Sequence, residues 1–127
     1  MTITLSNPAG LHAPGAYSHA ALARDAAARL VMSGQVGLAP DGTLAADAEG
    51  QIAQALANLG TILAAHGMTQ ANLVKMTVFL TDPALIGAWR TARTAWLGGN
   101  APASTLLIVA GLADPRFVVE VEAEAAA

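Results

Sequence analysis

A chain of 127 residues makes one domain, residues 1–127, long enough to bury a single core without disulfide or metal. Six Lys+Arg against nine Asp+Glu give a formal charge of −3, which argues against binding a phosphate backbone. With no cysteine, disulfide frameworks, Cys-type zinc sites, iron–sulfur clusters and thiol nucleophiles are excluded together. The 54% hydrophobic content includes 31 alanines, and no apolar run reaches the roughly 18 residues of a membrane span. Met1 to Pro14 has neither a basic start nor a central run of large apolar residues, so a cytoplasmic protein that does not enter the membrane is expected. With only 12% charged residues the surface must carry apolar patches, and such patches commonly mark subunit interfaces.

In chain order, Thr2–Leu5 and Ala16–Ala23 are candidate paired strands, although Ala20–Leu30 has helical propensity that conflicts with this. Leu30–Gly37 (LVMSGQVG) starts apolar and β-prone and meets Gly34 and Gly37, so it reads as a strand ending in a loop. Pro40-Asp41-Gly42 is a turn. Asp47 caps a helix running to about His66, with Ile52, Leu56, Leu59 and Leu63 on one stripe and Gly67 as its stop. Leu73–Leu80 predicts a strand with Val74, Met76, Val78 and Leu80 on one face. Asp82-Pro83 opens a second helix whose apolar face carries Leu85, Ile86, Trp89 and Trp96 and which ends at Gly98-Gly99-Asn100. Strands at Thr105–Ala110 and Phe117–Ala123 follow, joined by a turn around Ala113-Asp114-Pro115. The order β-β-β-α-β-α-β-β predicts an α+β domain: a mostly antiparallel sheet with two helices on one face. The second face must be polar or covered by another subunit.

The three histidines have no metal-ligand spacing. His66 falls in the last helical turn, where a cation suits the helix dipole and a structural role suffices. His12 and His19 bracket Tyr17 in a Gly/Pro-rich stretch, readable as an ordinary surface loop or as a lid, with Tyr17 and His19 on one strand face. Ser33-Gly34-Gln35 offers a hydroxyl and close backbone approach to a ligand. Glu120, Glu122 and Glu124 alternate with small apolar residues, so three acids line one sheet face. That row is either solvated or, where one acid enters a cleft, a source of general acid/base catalysis. Arg90 and Arg93, three apart, share a helix face and either hold an anion or are solvated. No P-loop, G-x-G-x-x-G or G-x-S-x-G motif is present.

Taken together, Gly15-Ala16-Tyr17-Ser18, Ser33-Gly34-Gln35-Val36-Gly37, Pro40-Asp41-Gly42, Gln51, Gln54-Ala55-Leu56, Asn58-Leu59, Val74–Asp82, Pro102-Ala103 and Val119–Ala123 resemble the Rid family of reactive-intermediate deaminases, also called YjgF-like proteins, in order and spacing. The resemblance implies a chorismate-mutase-like α+β fold, a homotrimer with sites between subunits, and hydrolysis of small enamines and imines to 2-keto acids and ammonia without metal or cofactor. By position it implies that Tyr17 lines the cleft, Ser33 and Gly34 contact substrate, and Glu120 positions the attacking water. The family's deaminase motif is Pro-Ala-Arg, the arginine gripping the substrate carboxylate; this chain has Pro102-Ala103-Ser104. The residue two further on, often cysteine in the family, is Leu106. Three readings follow: an imine or enamine hydrolase of atypical preference, either with substrates lacking that carboxylate or with Arg90 as substitute cation; an enzyme of other chemistry in the same cleft; or a non-catalytic binding or regulatory trimer. The net charge and two phenylalanines give no basic or aromatic surface for nucleic acid.

Overall fold

Residues 1–127, all described by the computed structural model, follow the predicted element order. The strands are β1 (Thr2–Ser6), β2 (Ala20–Arg24), β3 (Arg29–Gln35), β4 (Leu73–Leu80), β5 (Ala103–Ile108) and β6 (Val119–Ala126). The helices are α1 (Ala48–Ala65) and α2 (Ile86–Leu97), with single 3₁₀ turns at Gln70–Asn72 and Pro83–Leu85. One four-stranded sheet has the order β3-β6-β4-β5, in which β6 is antiparallel to both neighbours and β4 and β5 are parallel. Parallel strands need a crossover, and each of the two crossovers, β3–α1–β4 and β4–α2–β5, is a helix. β1 and β2 form a separate antiparallel ribbon. Just before β2, Ser18 bridges Ala103 on the outer edge of β5.

The alternation in β6 divides the sheet into two unlike faces. Val119, Val121, Ala123 and Ala125 are buried, together with Met76, Val78 and Leu80 of β4 and Met32 of β3. Onto them pack Ile52, Ala55, Leu56, Leu59 and Leu63 of α1 and Trp89 and Leu97 of α2. Burying a side chain of this size contributes about 1.5–3 kcal/mol, so this one face holds the fold together. The other face carries Glu120, Glu122 and Glu124, opposite Phe79, Thr77 and Lys75. Neither helix covers it. It is a mixture of charge and apolar surface: Val31 and Leu107 are exposed there, and Arg29 pairs with Glu124 at 2.8 Å.

Several boundaries move from their predicted places for identifiable reasons. The helical propensity of Ala20–Leu30 is overridden, because β2 and β3 pair with β1 and β6 and a reversal at Asp25 (φ 53°) separates them. Pairing with β1 begins only at Ala20, so β2 starts four residues later than predicted and leaves Tyr17 and His19 in the preceding loop instead of on a shared strand face. A register shift between Leu73 and Lys75 puts Leu73, not Val74, in the core. Asp82 does cap, its side chain accepting from the Ala84 amide at 2.8 Å, but it caps a 3₁₀ turn and α2 begins at Ile86. Gly98, at φ 59°, ends α2. Asp47 caps α1 by accepting from the Gly50 amide at 2.7 Å, and Gly67 (φ 69°) follows the end of that helix. No helix is long and apolar enough to cross a membrane.

Candidate functional site

The end of β3 and the start of β6 are held in place by one face of α1. Asn58 donates through Nδ2 to the carbonyls of Val36 and Leu38, at 3.2 and 3.0 Å. Buried Gln51 donates to the Arg116 carbonyl and accepts from the Val118 amide, both at 3.0 Å. Gly37 lies so close to α1 that a Cβ would fall 2.6 Å from Gln51 Cα. The polar positions of α1 therefore fix the two segments that carry Gly34 and Glu120.

Between Met32 and Gln35, β3 slips register against β6, opposing three steps of chain to two. The bulge at Ser33-Gly34 brings the β3 backbone against the side chain of Glu120. A Cβ at Gly34 would fall 2.7 Å from Glu120 Cδ and 2.8 Å from Cγ, so only glycine leaves room for the carboxylate. The close approach that glycine permits is made here by Glu120 itself. Glu120 is half-buried, forms no ion pair within the chain and faces the side of the sheet that the helices leave open.

A second group of residues gathers at the far edge. A cavity of about 530 Å³ is lined by Gly15, Ala16 and Tyr17 of the loop before β2, by Arg90, Arg93 and Thr94 of α2, and by Ser104 and Leu106 of β5. The Tyr17 hydroxyl is hydrogen-bonded to His12 Nε2 at 2.8 Å, and His19 donates through Nε2 to the His12 carbonyl at 2.8 Å. The His12 and His19 rings meet edge-to-face with centroids 4.8 Å apart, and Tyr17 stands 5.6 Å from His19. The histidines thus set the posture of Tyr17 instead of lining the cavity. His66, exposed at the end of α1, bonds its own helix through the Ile62 carbonyl at 2.9 Å and belongs to no site. No three histidine and carboxylate side chains converge as metal ligands would.

The chain brings Tyr17, Arg90 and Ser104 together in one place and Ser33, Gly34 and Glu120 in another, and it keeps the two places apart. Ser104 stands opposite Met76 of β4, on the helix side of the sheet, whereas Glu120 stands opposite Phe79, on the open side. Two strand spacings and three residues separate their backbones by roughly 14 Å, and their side chains point to opposite faces. Arg93 is the residue that sequence reasoning undervalued. It is 7% exposed, so the reading of a solvated Arg90/Arg93 face fails for it. The signal was present, because Trp89, Arg93 and Leu97 recur at intervals of four on the buried stripe of α2.

The family model for endoribonuclease L-PSP matches residues 8–127. The chain belongs to that family, the family of the Rid proteins. Within it, the chain is 38% identical over 104 residues to the 2-iminobutanoate/2-iminopropanoate deaminase of Rattus norvegicus, covering 77% of this chain and 71% of the rat protein. It is 34% identical over 84 residues to the RutC family protein YoaB of Escherichia coli K12, covering 65% and 73%. Among solved structures, the Rid-family protein YyfB of Yersinia pestis superposes with TM-score 0.88 at 30% identity over the full length of both chains. E. coli TdcF, solved with bound serine, superposes with TM-score 0.75 at 26% identity over 91% of each chain. The expected α+β family fold is therefore confirmed. Of these relatives, the rat protein is named as an imine deaminase.

Proposed function

We propose that this protein is a cofactor-independent imine or enamine hydrolase whose active site forms where two subunits of a homotrimer meet. The observation that carries the reading is the division of the site. One chain presents Glu120 against Gly34 on an uncovered sheet face, and presents Tyr17, Arg90 and Ser104 around a cavity on the opposite side. Neither half alone holds both a carboxylate and a substrate cavity. The cavity lining contains two arginines and no acid, while the open face presents Glu120 and Glu122 outside any ion pair, so an unpaired acid on one copy can meet the cations of another. Apolar Val31 and Leu107 on the open face suit burial by a neighbouring copy.

Imine hydrolysis requires little of such a site. Water adds to the C=N carbon while Glu120 accepts its proton; the proton then passes to nitrogen, and the carbinolamine collapses to a carbonyl and ammonia. An enamine first takes a proton on carbon. A positioned water and one carboxylate suffice for this sequence. The Gly34 backbone borders the carboxylate, with Ser33 next to it in the bulge, and Tyr17 and Ser104 supply hydroxyls on the cavity side. Because Ser104 offers no charge, preference among acidic substrates departs from that of family members with arginine at this place. Of the six cations, Arg29 and Arg116 are held in ion pairs to Glu124 and Asp114 and Arg90 and Arg93 line one cavity, which leaves no extended basic surface for nucleic acid.

The test is ammonia release from 2-iminopropionate, generated in situ by an amino-acid oxidase. Acceleration well above buffer, abolished in Glu120→Gln, is the expected result. No acceleration by a correctly assembled oligomer would overturn the reading.

A further inference from the structure

Arg93 is anomalous on physical grounds alone. Arg93 sits on the core stripe of α2, 7% exposed as a residue, yet it makes no ion pair, and its buried Nε has no hydrogen-bond partner. A buried charge is tolerated when it is paired, and here the chain supplies no carboxylate to pair it. Arg90, one turn earlier, adds a second positive charge at the rim of the same cavity, and the only other polar side chains in the lining are the hydroxyls of Tyr17, Thr94 and Ser104. Burial above all, and secondarily the charge of Arg90, holds the Arg93 pKa below the ordinary arginine value, as expected for a cation waiting for its counter-ion.

We infer that the cavity between α2, β5 and the Tyr17 loop is an anion-binding pocket with Arg93 as its principal cation, and that it takes the carboxylate of an acidic substrate from α2, with no cation needed at Ser104. The guanidinium fork suits a planar carboxylate, and its five donors are unused within the chain. Arg90 is exposed and makes no ion pair, so it contributes attraction at the mouth and little geometry. The identity of the acid as an imine rests on the function proposed above; the anion pocket does not.

The experiment is calorimetric titration of the full-length protein with pyruvate, the keto acid that 2-iminopropionate hydrolysis yields, and with neutral pyruvamide as control. Wild type is expected to bind pyruvate and to ignore pyruvamide. Arg93→Met, which keeps most of the side-chain volume, should weaken pyruvate at least about tenfold, and Arg90→Ala should weaken it less. Ser104→Asp, which leaves Arg93 in place but gives it a partner, should also expel the anion, so a folding failure of Arg93→Met leaves the test intact. Pyruvate binding that survives in both variants, or is absent from wild type, overturns the inference. Arg93-dependent binding without ammonia release keeps the pocket and removes the imine reading; ammonia release with an unchanged KM in Arg93→Met does the reverse.

Discussion

Around Arg93 the chain encloses a cation without supplying an acid; around Glu120, on the other face of the same sheet, it presents a carboxylate without supplying a cation. The first region is shaped by three separate segments that meet at the outer edge of β5. The second is shaped by a single bulge, with Gly34 giving up its Cβ space to the Glu120 side chain. The difference teaches that incompleteness in one chain is informative. An unpaired cation and an unpaired carboxylate on opposite sides of a small domain suit a site shared between copies.

The contrast can be broken one region at a time. The largest effect is expected from Glu120→Gln, which removes the proton acceptor: kcat/KM for imine hydrolysis should fall by roughly 10²–10⁴ while calorimetric pyruvate affinity stays the same. Gly34→Ala should come next. Its methyl must displace the carboxylate, and a misplacement of that order costs up to about 10²-fold in turnover, again with pyruvate binding unchanged. If Gly34→Ala instead weakens pyruvate and spares turnover, the two regions have been assigned in reverse.

Smaller effects test the scaffold. Gln51→Leu breaks the bonds to Arg116 and Val118 and leaves a part-buried carbonyl and amide unpaired, so thermal denaturation should show a loss of about 1–3 kcal/mol. The smallest effect concerns Asp114, whose carboxylate is held down to about 2 by hydrogen bonds from the Arg116 side chain and backbone and by its charge. A folded-state value below the unfolded 3.8 contributes stability above pH 3.8, and that contribution is lost as pH falls towards 2. Arg116 is exposed and Asp114 partly so, and solvent screens the pair, so Asp114→Asn should only slightly flatten the acid limb of Tm against pH.

Much of this was legible in the sequence, and the exceptions share a cause. The V-E-V-E-A-E alternation of β6 and the stripe of α1 report one-dimensional periods directly, and both were readable before any coordinates. The Leu73/Val74 reversal and the Gly34–Glu120 contact come from register shifts, which a period-2 reading cannot see, because a single extra residue moves every later side chain to the other face. Ala20–Leu30 misled because alanine favours helix locally and pairing decided otherwise. Arg93 was legible by spacing but concealed by its charge, since an arginine is ordinarily assigned to solvent. The Glu120 half of the candidate site was thus visible as residues, and its separation from the cavity became visible only through sheet register.

The most direct test of a shared site is complementation between two inactive chains: Glu120→Gln, which retains the cavity, and Ser104→Trp, which blocks the cavity and retains Glu120. Each is first shown to be inactive alone, and the two are then mixed under conditions in which mass spectrometry confirms subunit exchange. If sites form between copies, random assembly joins an intact cavity to an intact Glu120 in about one quarter of them, and ammonia release should recover to about that fraction of wild type. Exchanged oligomers that remain as inactive as their parents would contradict the account, since a site built within one chain is damaged in every subunit present.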